Sequence, residues 1–314
     1  MKFLVTGGAG FIGSHIVRRL VETDQTVRVL DDLSYGSLDN LTAVQDGNDF
    51  VKADVRDAER LAQAMSGVDC VVHLAAVASV QRSVDDPVAT SLVNLLGSVN
   101  VLDQARRAGV KRVVFASSAA VYGQGPEPVK TEALALCPAS PYAADKASVE
   151  TMCRMFSGLY GLETVALRYF NIYGPRQNTE SDYATVIPRF LGRMLGGERP
   201  VVFGDGLQTR DFCYVDDVVS ATILAATCPA VGHGEAINIG SGTSTSVLDL
   251  VDHLNAALGT SLVPEHATPR AGDVRHSRAD ISLAARLLGY QPQIPLAEGL
   301  WRTAAWFRER WPSL

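Results

Sequence analysis

Tyr142 and Lys146 stand four residues apart in Ser140-Pro141-Tyr142-Ala143-Ala144-Asp145-Lys146, so on a helix both side chains leave from one face. A phenol titrates near 10, and holding it as phenolate at neutral pH takes about 4 kcal/mol. A neighbouring Lys ammonium and an oxidised nicotinamide together favour the anion, which would make Tyr142 a general base. Ser118 follows the strand candidate 112–116 at the C-terminal edge of the sheet, where its hydroxyl can bond the same substrate oxygen. A second constellation opens the chain. In Gly7-Gly8-Ala9-Gly10-Phe11-Ile12-Gly13, Gly8, Gly10 and Gly13 satisfy GxGxxG, and Gly7, Gly10 and Gly13 the looser GxxGxxG. Glycine is required there because the backbone must turn tightly, admit a pyrophosphate and pack the following helix closely; the anion then rests on the helix N-terminus. Asp31 follows Gly13 by 18 residues. A carboxylate at that strand end accepts from both ribose hydroxyls and repels a 2′-phosphate, so it selects NAD over NADP. Asp54 ends the next strand and could bind the adenine or cap a helix.

These residues need elements to hold them. Short β-branched runs at 2–6, 27–30, 50–51, 70–74, 112–116 and 164–167 alternate with helical periodicity at 11–21, 57–65, 86–108 and 140–160. That alternation predicts an α/β fold, a doubly wound parallel Rossmann sheet covered on both faces. From about Gly174 the pattern loosens into short strands and turns, which predicts a smaller α/β C-terminal lobe. The expected division is a NAD-binding domain over 1–173 and a substrate lobe over 174–314, with the lobe returning to the sheet near 212–218.

TGGAGFIG at 6–13, HLAA at 73–76, SSAAVYG at 117–123, YAADK at 142–146, LRYFNIYGPRQ at 167–177, RDFCYVDD at 210–217 and AGDVRHSRAD at 271–280 occur in order along nearly the whole chain. In these motifs the sequence resembles the extended short-chain dehydrogenase/reductases, and among them the nucleotide-sugar epimerases. The resemblance implies Tyr142 as the base, Lys146 as its partner on the nicotinamide ribose, and Ser118 as an aid to proton transfer. It implies a cofactor site of Gly7, Gly10, Phe11, Ile12, Gly13, Asp31, Asp54, Val55, Leu74, Ala75, Ala76, Tyr142 and Lys146, with Asn94 structural or water-holding. Arg210, Arg270 and Asn171 would hold a substrate diphosphate, with Asp273 on the uridine ribose, Phe203 beside the uracil, and Arg176 a further candidate cation. Ala78, Ser118, Tyr142, Tyr169 and Ser277 complete the implied substrate site.

The same resemblance narrows the reaction. Dehydratases of the family carry an Asp-Glu pair before Val-Tyr-Gly and the related decarboxylases a Glu, whereas here the positions are Ala119-Ala120. What is left is oxidation at C4 of a UDP-hexose followed by return of hydrogen to the other face. Ser277 aligns with a gate where Tyr excludes 2-acetamido sugars, so UDP-GlcNAc and UDP-GalNAc are expected substrates beside UDP-Glc and UDP-Gal. A UDP-glucuronate epimerase, another C4-oxidising enzyme of the family, and an NAD-sensing module are the rival readings.

Composition sets outer bounds. The chain has 314 residues, 47% of them hydrophobic and 20% charged, which excludes disordered and fibrous classes. A net charge of −6 argues against nucleic-acid and polybasic membrane partners. Five cysteines, Cys70, Cys137, Cys153, Cys213 and Cys228, carry no CxxC pair, so reduced thiols in a cytoplasm and no metal are expected. The apolar-faced helices at 86–108 and 140–160 resemble the pair that forms a homodimer interface in this family.

Overall fold

The computed structural model describes residues 1–177, 185–269 and 274–311. Seven parallel strands form the main sheet: β1 (Lys2–Thr6), β2 (Thr26–Asp31), β3 (Asn48–Lys52), β4 (Cys70–His73), β5 (Arg112–Ser118), Glu163–Tyr169 and His233–Ile239. From one edge the order is 233–239, 163–169, β5, β4, β1, β2, β3. The direction of winding reverses between β1 and β4, and the crevice above the carboxyl ends there is where open α/β sheets bind ligands.

Side-chain alternation assigns the two faces. Phe3 and Val5 join the layer containing Ile16, Val17 and Leu20 of α1 (Phe11–Glu22) and Val218 and Val219 of helix Val215–Thr227. Leu4 joins the opposite layer, built from Leu61, Val101, Leu102 and Val149 of helices Ala58–Ala64, Ser98–Arg107 and Pro141–Tyr160. The last of these starts where the sequence dictates: Ser140 accepts from the Ala143 amide at 3.2 Å, Pro141 occupies the first turn, and Gly161 ends it at φ +69°.

Residues 86–108 are helical as expected, unbroken from Pro87 to Arg107, but with a π-helical turn over Leu92–Gly97 between Pro87–Ser91 and Ser98–Arg107. Apolar spacing does not reveal a one-residue insertion into a helical turn. The lobe does return to the sheet, but through His233–Ile239, which pairs with Glu163–Tyr169. Cys213–Tyr214 instead pairs with Ile172–Tyr173 in a separate two-stranded ladder, and at Val215 the chain turns helical to lay its apolar stripe on the sheet. A second sheet, ordered 245–246, 209–210, 276–279, 129–130, lies outside the main one.

Candidate active site

A cavity of about 700 Å³ runs over the carboxyl ends of the central strands, and its wall includes the glycine turn, Asp31, Ser118, Tyr142, Lys146, Arg210 and Ser277. At one end lies the cradle. Gly7 has φ +70°, and a Cβ added to it would lie 2.7 Å from the Ala75 amide; one added to Gly13 would lie 2.1 Å from the Gly7 carbonyl oxygen. Neither position has room for a side chain. Gly10 is the N-cap of α1 and no side chain caps that helix, so its first-turn amides stay available to an anion. Gly10, Phe11, Ile12 and Gly13 all face the cavity. Asp31 is buried and accepts from the Ala9 amide at 3.0 Å and the Leu33 amide at 2.8 Å, one on each oxygen. Burial pushes its pKa up while the two amides pull it back. Each oxygen keeps a lone pair for a ribose hydroxyl. An uncapped helix end, a turn closed to side chains and a carboxylate at the β2 end fit a dinucleotide.

Asp54 and Val55 also face the cavity. Asp54 is not the helix cap; that is Asp57, which accepts from the Arg60 amide at 3.0 Å. Asp54 pairs with Arg56 at 2.6 Å, which holds its carboxyl below the usual range. Leu74, Ala75, Ala76 and Ala78 line the cavity after β4. Asn94 does not line it. Its side chain grips the loop that does, accepting from the Val77 amide at 2.8 Å and donating to the Val77 carbonyl at 3.2 Å.

At the centre, Tyr142 and Ser118 both line the cavity, and Ser118 Oγ accepts from the Ala120 amide at 3.2 Å. Lys146 Nζ donates to the Ala116 carbonyl at 2.8 Å and stands 5.7 Å from the centre of the Tyr142 ring. Without cofactor, burial pushes Tyr142 up, with the nearby Ser118 hydroxyl the one opposing effect, and the same burial draws Lys146 down to about 8. Both groups pay desolvation, and Lys146 spends its hydrogen bond on the β5 backbone rather than on the phenol. Ala119 and Ala120 form the adjacent wall, with no carboxyl group at either position.

Towards the other end come Tyr169, Asn171, Arg210 and Ser277. The Tyr169 hydroxyl is engaged with Thr222 Oγ1 at 2.8 Å, and Asn171 Nδ2 donates to the Asp211 carbonyl at 3.1 Å. Arg210 and Ser277 are register partners on parallel strands. Phe203 is not among the described residues of the cavity wall; its ring centre lies 5.9 Å from the Arg189 guanidinium. It sits on the strand Val201–Phe203, which pairs with 265–267 in a two-stranded ladder. Arg270 and Asp273 lie outside the described residues.

Sequence reasoning missed the supports beneath these groups. Ser117 Oγ donates to Glu150, which takes two bonds from Arg168 at 2.9 and 2.7 Å. Arg168 in turn donates to the Tyr122 hydroxyl at 2.8 Å, and that hydroxyl donates to Asn238 at 2.7 Å. Glu150 lies one helical turn beyond Lys146, the single sequence signal available. His73 sits under the cradle between Thr6 Oγ1 at 2.7 Å and Ser98 Oγ at 2.9 Å, kept neutral by burial that takes its pKa to about 3. Buried Lys130 also reaches the cavity wall, its ammonium donating to the Gly125 carbonyl at 2.9 Å.

A glycine cradle with its ribose acid, and a Tyr-Lys pair with a serine at the next strand end, define an NAD-dependent enzyme of the short-chain dehydrogenase/reductase type. The sequence profile of the NAD-dependent epimerase/dehydratase family matches residues 3–240, and the chain belongs to that family. It is 43% identical over 319 residues to the UDP-glucose 4-epimerase of Mycolicibacterium smegmatis, covering 99% of each chain. Its fold superposes with a TM-score of 0.94 on the UDP-N-acetylglucosamine 4-epimerase of Methanobrevibacter ruminantium in complex with UDP-N-acetylmuramic acid, at 39% identity over 98% of both chains. With the Thermotoga maritima UDP-glucose 4-epimerase bound to UDP-glucose the TM-score is 0.93, at 40% identity over 98% of this chain and 99% of that one.

Proposed function

We propose that the protein inverts C4 of a UDP-hexose through a transient 4-keto sugar, acting on UDP-Glc and UDP-Gal and also on UDP-GlcNAc and UDP-GalNAc. The observation that carries this reading is the wall next to Ser118 and Tyr142. Those two residues share one cavity with the dinucleotide cradle, while Ala119 and Ala120 occupy the neighbouring positions and offer no acid to expel water from the sugar. Bound NAD supplies the hydride acceptor and donor at C4 and a positive charge near the phenol. Tyr142 removes the proton from the C4 hydroxyl, Ser118 holds that oxygen, and Tyr142 returns the proton once the sugar has presented its other face. Lys146, fixed by the Ala116 carbonyl, contributes positive charge that favours the phenolate. Arg210, Arg270 and Asn171 keep the diphosphate bound while the sugar turns, with Asp273 on the uridine ribose. Ser277, beside Arg210, leaves room for the acetamido group.

The segment 174–314 supplies Arg210, Arg270, Asp273 and Ser277 of this uridine end, and 1–173 the glycine cradle, Asp31 and the Ser118, Tyr142 and Lys146 cluster. A second copy of the chain covers the exposed apolar face at Val88, Leu92 and Leu96, giving a homodimer. No helix among the described residues is long and apolar enough to cross a membrane. With five free cysteines, the protein suits a reducing cytoplasm.

The test is incubation of each of the four UDP-sugars with wild type and Ser277→Tyr, with separation of the products. Wild type should yield the C4 epimer in every case, with no accumulating 4-keto-6-deoxy sugar. Ser277→Tyr should lose at least about tenfold on the acetylated pair, equivalent to about 1.4 kcal/mol, and much less on the other. A dominant keto product, or no turnover of any of the four while UDP-glucuronate assayed alongside is converted, would replace the assignment; equal losses on both pairs would withdraw the gate.

A further inference from the structure

Arg176 closes the turn Gly174-Pro175-Arg176, which is strapped to the start of α1. The Pro175 carbonyl bonds His15 Nε2 at 3.0 Å. A Cβ placed on Gly174 would lie 3.6 Å from the Phe11 ring and 2.6 Å from Val215, so the backbone runs tight between the cradle helix and the helix opposite. Arg176 adopts φ +68°, a left-handed conformation that a non-glycine residue keeps only where its surroundings impose it, often at a ligand site. Its side chain borders the cavity, yet Nη1 is buried and finds no hydrogen-bond partner; Gln177 Oε1, next to it, is in the same state.

An unpartnered buried guanidinium nitrogen is costly, and the surroundings do not relieve it. Asp216 and Glu22 oppose the charge but leave Nη1 unbonded, while Arg18 and Arg310 add to it. The other cationic side chains on the cavity wall, among the described residues, are placed elsewhere. Lys146 is held by the Ala116 carbonyl, Lys130 by the Gly125 carbonyl, and Arg210 lies on the strand beside Ser277. A pyrophosphate on the glycine turn would meet only the partial charge of the α1 end, about half a unit, in a chain of net charge −6.

We propose that Arg176 binds the pyrophosphate of NAD, supplying the full positive charge and the hydrogen-bond donors that the glycine cradle lacks. The sequence offers it as a candidate for the substrate diphosphate; its attachment to Phe11 and His15 assigns it to the cofactor instead. A planar fork of donors suits a diphosphate, so lysine should substitute only in part. The inference rests on NAD dependence and is independent of which sugar is epimerised.

The test compares wild type, Arg176→Met, Arg176→Lys and Arg210→Met. The readouts are NAD retained per chain after gel filtration, the exchange rate of bound NAD against labelled NAD, UDP affinity by calorimetry, and thermal unfolding of the NAD-free fraction. Arg176→Met should exchange NAD at least about tenfold faster, since truncating a buried charged contact acts on the off-rate. Its UDP affinity should be unchanged, with Arg176→Lys intermediate and Arg210→Met showing the reverse pattern. NAD-free Arg176→Met should unfold no lower than NAD-free wild type, because it no longer buries an unpaired cation. Weakened UDP binding with normal NAD exchange would move Arg176 to the substrate end. Unchanged exchange and affinity, or NAD loss accompanied by a lower unfolding temperature, would overturn the proposal.

Discussion

In the proposed reaction Tyr142 has to give up a proton in a place where burial keeps it on, and the neighbouring cation is itself drawn down to about 8 by the same burial. Tyr and Lys at this spacing are legible in sequence, and so are the glycines, because each type answers a local backbone or chemical demand. The direction of the phenol shift was not legible, since it depends on how much water the folded cavity excludes. The Ser118 hydroxyl pulls the phenol down but does not offset its burial, so the remaining preference for phenolate has to come from the Lys146 ammonium and the bound cofactor's charge. Two results are expected. Tyr142→Phe should lower kcat by at least about 100-fold, the scale of general acid-base catalysis, with UDP affinity within a few-fold in calorimetry. Ultraviolet titration should find the Tyr142 phenolate, identified by its loss in that variant, at lower pH in the NAD-bound enzyme than in the NAD-free one. Near-normal turnover in Tyr142→Phe would remove the residue from the mechanism.

Strands and helices carry these groups, and three of them are joined by one buried ion pair. Arg168 on Glu163–Tyr169 and Glu150 on Pro141–Tyr160 are 4% and 2% exposed. Through Ser117 and Tyr122 the pair fixes the end of β5 and the turn behind Ser118. The strands themselves were readable, because parallel strands buried on both faces are continuous apolar runs. The pair was not, because Arg168 and Glu150 meet only when helix and strand dock, and neither differs in sequence from a surface charge. The π-helical turn was hidden for a similar reason: what it achieves is the Asn94 grip on Val77, a contact made 17 residues away. Glu150→Gln leaves Arg168 buried without a counter-charge, and urea unfolding should show a loss of about 3–5 kcal/mol. Below the unfolding transition kcat should fall while the KM for the UDP-sugar stays near wild type, since the diphosphate contacts lie on other elements. An unchanged kcat would limit the pair to a stabilising role.

For the whole molecule, the cavity gathers the glycine cradle, Asp31 and the Ser118, Tyr142 and Lys146 cluster, and an apolar face lies beyond it. Val88 is 70% exposed, Leu92 41% and Leu96 47%, on the π-bulged helical segment next to Met152 of helix Pro141–Tyr160. Pro87, Leu95 and Val99 extend the same shallow apolar hollow. Large side chains gathered on one face, rather than scattered, are what an interface with another chain requires. A two-fold dimer would bring the same face of each copy together, so one substitution enters the contact twice. Leu92→Glu would bury two like charges on association and leave the isolated chain unharmed, because Leu92 already faces solvent there. Sedimentation should find wild type as a dimer at micromolar concentration and Leu92→Glu as a monomer with an unchanged circular dichroism spectrum. The π-helical turn that bears Leu92 and Leu96 outward holds Asn94 inward against the cofactor loop. The monomer should therefore also release NAD faster than the dimer, measured by exchange with labelled cofactor. A monomeric wild type would leave the face without its proposed occupant, and a monomeric variant with unaltered exchange would break the link between that face and the cofactor loop.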